Sequence, residues 1–171
     1  MLSSDMVCDS ESWNFRRHGA GIGHAPRTQR GDFLAGNNKM SRARITTAIA
    51  ELAAEWQLPQ MELDENDFLC IDVDGLIINI DYFEEAECLS IYSTVAEVPN
   101  GKRAECFDLM LRANYGWQKT AGAVLAVDPS ETLALLRTEV TLNDLDLPVL
   151  LNRMDEFTTT VKHWADRLEQ L

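Results

Sequence analysis

Phe68-Leu-Cys-Ile-Asp-Val-Asp-Gly-Leu-Ile-Ile-Asn-Ile-Asp-Tyr-Phe83 decides the fold. Leu69, Ile71 and Val73 alternate with Cys70, Asp72 and Asp74, and Leu76, Ile78, Ile80 and Tyr82 alternate with Ile77, Asn79 and Asp81. A two-residue period puts each apolar set on one side of a strand. Between the two runs stands Asp74-Gly75, a pair that tight hairpin turns favour because both central residues take positive φ. The stretch therefore predicts an antiparallel hairpin with one greasy face.

Working outward, Leu89, Ile91, Ser93 and Val95 share one face of a third strand from Cys88 to about Val98, closed by Pro99-Asn100-Gly101. Upstream, Ile45, Ile49, Leu52 and Trp56 fall four, three and four residues apart, which predicts a helix capped by Ser41 and ended beyond Leu58 by Pro59. Downstream, Lys102 to Tyr115 reads as a second helix, with Gly116 as its terminating glycine. Ala123–Val127 and Leu133–Val140 form a second hairpin around Asp128-Pro129-Ser130-Glu131. Leu150, Met154, Phe157, Val161, Trp164 and Leu168 are spaced 4, 3, 4, 3 and 4 and mark the last helix, with Asp146 as its cap and Pro148 in its first turn. The element order is α-β-β-β-α-β-β-α, an α+β sandwich whose twisted, mostly antiparallel sheet is covered by helices.

The first 39 residues are of another kind. Ser, Gly, Asn, Arg and His dominate, and no apolar period runs through them, so residues 1–39 are expected to be a disordered leader or the product of a mis-set start ahead of Met40. Residues 40–171 form the one folded domain. Arg16, Arg17, Arg27, Arg30 and Lys39 against Asp5, Asp9, Glu11 and Asp32 leave the leader at +1, so of the chain's −13 the domain carries −14. Such a surface repels polyphosphate, which argues against nucleic acid as a partner. No run approaches the roughly 18 apolar residues of a membrane span, and no signal peptide opens the chain. Cys8, Cys70, Cys88 and Cys106 are too scattered for a disulfide framework or a C-x-x-C site. A reducing cytoplasm, without membrane insertion, is the expected setting.

Catalytic chemistry finds no foothold. With Gly75 at the sixth position of a calcium loop, Cys70 and Asp81 would stand where Asp and Glu are required. Gly19, Gly21 and Gly23 have neither the preceding strand nor the following helix that a dinucleotide site needs. His18 and His24 lie in the leader, and His163 has no nucleophile at helical spacing. Cys70, Cys88 and Cys106 read as small hydrophobes, with no helix N-terminus or basic cluster to activate a thiol. No metal or cofactor is expected, and no enzyme. What stands out is apolar surplus: Phe68, Ile77 and Phe83 fall opposite the greasy strand face. Either helices cover both faces or one face meets another chain.

In this order, in an acidic chain of this length, Ile45-Thr-Thr-Ala-Ile-Ala-Glu-Leu52, Leu109-Met-Leu-Arg-Ala-Asn114, Gly122-Ala-Val-Leu-Ala-Val-Asp128 and the helix Leu150 to Leu168 resemble the small acidic type III secretion chaperones of the Tir-chaperone (class I) family, over residues 41–171. The resemblance implies a cytosolic bacterial homodimer that binds the N-terminal segment of a secreted effector. It would keep that segment extended and help target it to the secretion apparatus, whose ATPase is a further implied partner. By the same resemblance the dimer contact falls on Cys106, Leu109, Met110, Ala113, Asn114 and Trp117, with Val124 and Ala126 in support. Effector grooves fall on Ile45, Ile49, Leu52, Trp56, Phe68, Ile78 and Ile91. The leader departs from the family's pattern, whose members begin near the first helix. A non-enzymatic regulatory domain of similar architecture, binding a folded partner, is the other reading of the same features.

Overall fold

A computed structural model describes the chain from Gly31 to Leu171, with side chains from Ser41 onward. The expectations for residues 1–30, including His18, His24 and the Gly19-Gly21-Gly23 run, lie outside the described residues. Helix α1 spans Gly31–Glu55, so it starts ten residues before Ser41, and Ser41 is an interior residue rather than its cap. The helix also stops before Leu58. Gln57 turns left-handed at φ 55°, Leu58 N–H donates to Ala53 O at 2.9 Å and Gln57 N–H to Ala54 O at 3.3 Å, a paired closure that satisfies the last carbonyls. Pro59 acts one step earlier than expected, by disfavouring helical backbone at Leu58.

Strands β1 (Phe68–Val73), β2 (Leu76–Phe83), β3 (Cys88–Glu97), β4 (Val124–Val127) and β5 (Leu133–Thr141) form one antiparallel sheet in the order β1-β2-β3-β5-β4. Asp74 and Gly75 take φ of 54° and 82°, and the Asp72 carboxylate accepts Gly75 N–H at 2.7 Å, the turn that the sequence predicts. Helix α2 (Arg103–Tyr115) and a short 3-10 helix (Trp117–Thr120) connect β3 to the far edge of the sheet, and helix α3 (Leu147–Glu169) closes the chain. Gly116 ends α2 at φ −93°, without the left-handed turn expected of it; Ala121, at φ 51°, makes that turn after the 3-10 helix.

Register sorts the side chains. Leu69 pairs with Ile80, Ile80 with Ile91, and Ile91 with Thr138, while Tyr82 pairs with Leu89 and Leu89 with Val140. These residues share the inner face, and all are buried. Helix α3 packs over β3 and β5, and α1 packs beside α3. The six stripe residues of α3 are all buried, as are Ile45, Ile49 and Leu52 of α1. Arg42 holds α1 to the start of β1 by an ion pair with Asp67 and a 3.0 Å bond from Nη2 to Asp64 O. Asp146 caps α3 by accepting Val149 N–H at 2.9 Å.

Trp164 sits at the centre of this packing. It is buried, and its Nε1–H donates to Lys119 O at 3.1 Å. Trp164→Ala is expected to cost about 3–5 kcal/mol in denaturant unfolding, as large buried aromatics do. Asp128 organises the second hairpin: it accepts the Ser130 hydroxyl, the N–H groups of Leu133 and Thr132 at 2.7 Å each, and Ser130 N–H at 3.1 Å. The Ser130 hydroxyl and these amides lower its pKa from 3.8 to about 2. A lowered folded pKa means that the stabilisation is complete above the unfolded value and is lost as pH falls from about 4 through about 2. Asp128→Asn is therefore expected to melt below the wild type at neutral pH, with the gap narrowing across that window in pH-dependent thermal melts.

Candidate protein-interaction surfaces

At one corner of the sheet, α2, the 3-10 helix and β4 are in mutual contact. The Asn114 amide donates to Leu125 O and its carbonyl oxygen accepts Leu125 N–H, both at 2.9 Å. One side chain thus satisfies the outward backbone groups of an edge strand at Leu125. Behind it, Cys106, Met110 and Ala113 point into the protomer's own core, with Cys106 Sγ 3.7 Å from Met110 Sδ. Leu109 is half-buried against the same core. Trp164 fixes the 3-10 helix through Lys119 O, Thr120 Oγ1 donates to Trp117 O at 3.0 Å, and Arg153 reaches Ala121 O at 3.3 Å.

On this braced corner four large apolar side chains stand in solvent: Leu111 at 68% exposure, Tyr115 at 94%, Trp117 at 64% and Val124 at 54%. Ala126 is exposed beside them. Of the eight positions that the family resemblance assigns to a dimer contact, Trp117, Val124 and Ala126 offer free surface, Leu109 and Asn114 offer part of theirs, and Cys106, Met110 and Ala113 offer none. Leu111 and Tyr115 were not among those eight. Their signal is the i, i+4 spacing Phe107-Leu111-Tyr115, a second apolar row beside the buried row Cys106-Met110-Ala113.

The residues assigned to effector grooves are distributed differently. Ile45, Ile49, Leu52, Ile78 and Ile91 are fully buried within one core cluster, so α1 fills the space above the sheet and no groove opens among them. Trp56 is half-buried at the end of α1, packed against that core. Phe68 lies half-buried on the opposite, outer face of the sheet, together with Ile77 at 37% exposure and Phe83 at 45%. The Arg137 guanidinium lies 5.8 Å from the centre of the Phe83 ring, donates from Nε to Ser90 Oγ at 2.7 Å and pairs with Glu139 at 2.8 Å. At the edge, Phe68 N–H donates to the Asp64 carboxylate at 2.9 Å and Phe68 O accepts Asp64 N–H at 2.8 Å.

Burial pushes the Cys88 and Cys106 thiols up, for Cys88 with help from Glu139 and against Arg137, which is the reverse of an activated nucleophile. Burial, then Glu84, likewise raises Tyr82. His163 stands edge-on to Trp164 with ring centres 5.7 Å apart. Among the described residues no group of three or more His, Cys, Asp or Glu comes together as a metal site, and no helix is long and apolar enough to cross a membrane.

Known structures share this architecture. A chain of the ExsC–ExsE complex superposes with a TM-score of 0.66 at 18% identity, covering 74% of this chain and 95% of that one. A chain of the HopA1–SchA chaperone–effector complex gives 0.62 at 14%, covering 74% and 97%. The heterodimeric ExoU–SpcU complex from the type III secretion system of Pseudomonas aeruginosa gives 0.54 at 18%, covering 72% and 93%. At these identities the likeness is one of fold. No curated protein sequence matches. The sequence model of the Tir chaperone protein (CesT) family, however, matches residues 47–165, most of the chain and nearly all of the described fold, and the chain belongs to that family.

Proposed function

We propose that this protein is a cytoplasmic type III secretion chaperone that binds the N-terminal segment of one or more effectors, holds it extended and presents it to the secretion apparatus. The match of residues 47–165 to the Tir chaperone family carries the reading. The molecule's surface supports it: apolar side chains lie exposed on an acidic body, in a fold whose structural relatives include chaperone–effector complexes. An extended segment can lay apolar side chains against greasy positions such as those of the outer sheet face. We place client contact at Phe68 and Trp56, with Ile77 and Phe83 added from the outer face. Each well-buried anchor contributes on the order of 1.5–3 kcal/mol, so a few suffice to order a segment that is unstructured when free.

Two copies would meet at the α2–β4 corner, with Leu111, Tyr115, Trp117 and Val124 at the centre of the contact and Leu109, Asn114 and Ala126 around them. A corner of this apolarity braced by Asn114 and Trp164 is preorganised, so association freezes little that is not already fixed. The acidity keeps the assembly soluble and favours basic clients.

Light scattering after size exclusion should give about twice the 19.3 kDa chain mass. Leu111→Glu with Tyr115→Glu should return the mass to one chain while the thermal melt stays near that of the wild type; an unchanged dimer would place the contact elsewhere. Met110→Asp, by contrast, should lower stability by several kcal/mol, because it puts an unpaired charge into the core. Co-expression with the first hundred or so residues of a type III effector should yield a soluble complex. Phe68→Asp with Ile77→Asp should cut client affinity roughly tenfold or more with the dimer intact, as loss of one to two buried anchors implies; full recovery of client by that variant would remove the outer face from the binding surface.

A further inference from the structure

Strands β1 to β5 contain a single basic residue, Arg137. Register puts it on the outer sheet face: Arg137 pairs with Tyr92 and Tyr92 with Asn79, which shares a side of β2 with Ile77 and Phe83. From β5 its side chain crosses β3 toward β2. Nε–H donates to Ser90 Oγ at 2.7 Å, Nη2 donates to Glu139 Oε1 at 2.8 Å, and the guanidinium carbon lies 5.8 Å from the centre of the Phe83 ring. We infer that Arg137 determines specificity on this face by bonding a carboxylate of the client segment, an Asp or Glu two positions from an apolar side chain that packs on Phe83. This role rests on the client contact proposed above and names its chemistry.

Three observations select this occupant. The first is that the guanidinium is held in place yet open. Ser90 is 1% exposed, so a buried hydroxyl pins Nε from beneath, while the Arg137 side chain itself is 45% exposed. Of the five N–H donors of a guanidinium these bonds use two, and Arg137 makes no other hydrogen bond among the described residues. Glu139 takes one edge of the fork only, in an exposed pair of the kind that holds its partners weakly. A planar, fixed fork with free donors is what a carboxylate fits.

The second is charge. The chain carries −13, and the outer face adds Asp72, Asp81 and Glu139 to that field. A client carboxylate is repelled over most of this surface, so the one position where it is attracted fixes how the segment lies. Apolar contacts with Ile77 and Phe83 tolerate a slip along the face; a charge pair does not. The third is spacing. Side chains two apart on an extended segment stand on one side, roughly 6.5–7 Å from each other, close to the 5.8 Å between the guanidinium carbon and the Phe83 ring centre. Phe83 keeps 45% of its surface exposed beside the guanidinium, which leaves room for the apolar partner.

The test pans random dodecapeptides displayed on phage against the full-length wild-type chain. The expected result is a set of peptides in which Asp or Glu stands two positions from an aromatic or large aliphatic residue. One such peptide, and its counterpart with that carboxylate changed to the carboxamide, are then titrated by fluorescence anisotropy. On the wild type the carboxamide form should bind about tenfold more weakly, as loss of one charge-assisted hydrogen bond implies; on full-length Arg137→Gln the two forms should bind alike. Equal affinity of the two forms for the wild type would overturn the assignment without recourse to any variant, and so would a tenfold difference that survives in Arg137→Gln. If the wild type selects no peptide, or only peptides that full-length Phe83→Asp still holds, the outer face is not a client surface and the contact proposed there falls together with the role of Arg137. If Phe83→Asp releases the selected peptides while the two forms bind the wild type alike, the client contact stands and the role of Arg137 alone is lost.

Discussion

The surface chemistry of this protein depends on two hydrogen bonds from one side chain. Asn114 bonds both the N–H and the carbonyl of Leu125, and in doing so it closes an edge strand with a helix. An open edge invites any other strand to pair with it. Here the invitation is withdrawn at β4. Each such bond is worth about 1 kcal/mol net, but the geometric consequence is larger. Helix α2 and β4 become one rigid platform, and the side chains around the bond, Leu111, Tyr115 and Val124, are presented at fixed positions.

The rest of the architecture follows from dividing the sheet into two unlike faces. Register places Ile80, Ile91, Leu89 and Val140 inward, where α3 and α1 consume them entirely. The outward set, Phe68, Ile77 and Phe83, is not consumed by those helices. That outer set is what the proposed client contact draws on. The acidity fits the same division, since a surface of net negative charge tolerates exposed greasy patches without self-association at random.

Much of this was legible before any coordinates. Alternation through Phe68–Phe83, the Asp74-Gly75 turn and the stripe of α3 fix two strands and the last helix to within a residue or two, because each rests on periodicity or on a φ requirement that few residues meet. The family, too, was readable from segments that are individually unremarkable. What the pattern did not carry is coverage. Ile45, Ile49 and Leu52 announce a buried helix face, but not whether a client or α3 buries it, and α3 does. Met110 and Cys106 likewise belong to α2's apolar side, of which the inward row goes to the core and only the adjacent row, Leu111 and Tyr115, faces solvent. The early start of α1 at Gly31 has no apolar period to announce it, and the 3-10 helix is fixed from a distance by Trp164.

The most direct measurement is amide hydrogen exchange at Leu125 in the full chain. If Asn114 welds α2 to β4, this edge amide should be protected nearly as well as Leu136 beside it in the sheet, and Asn114→Ala should release it. Exchange at Leu125 as fast as in an open strand edge would mean that α2 and β4 are separate pieces, and the platform on which the interaction surface is built would not exist.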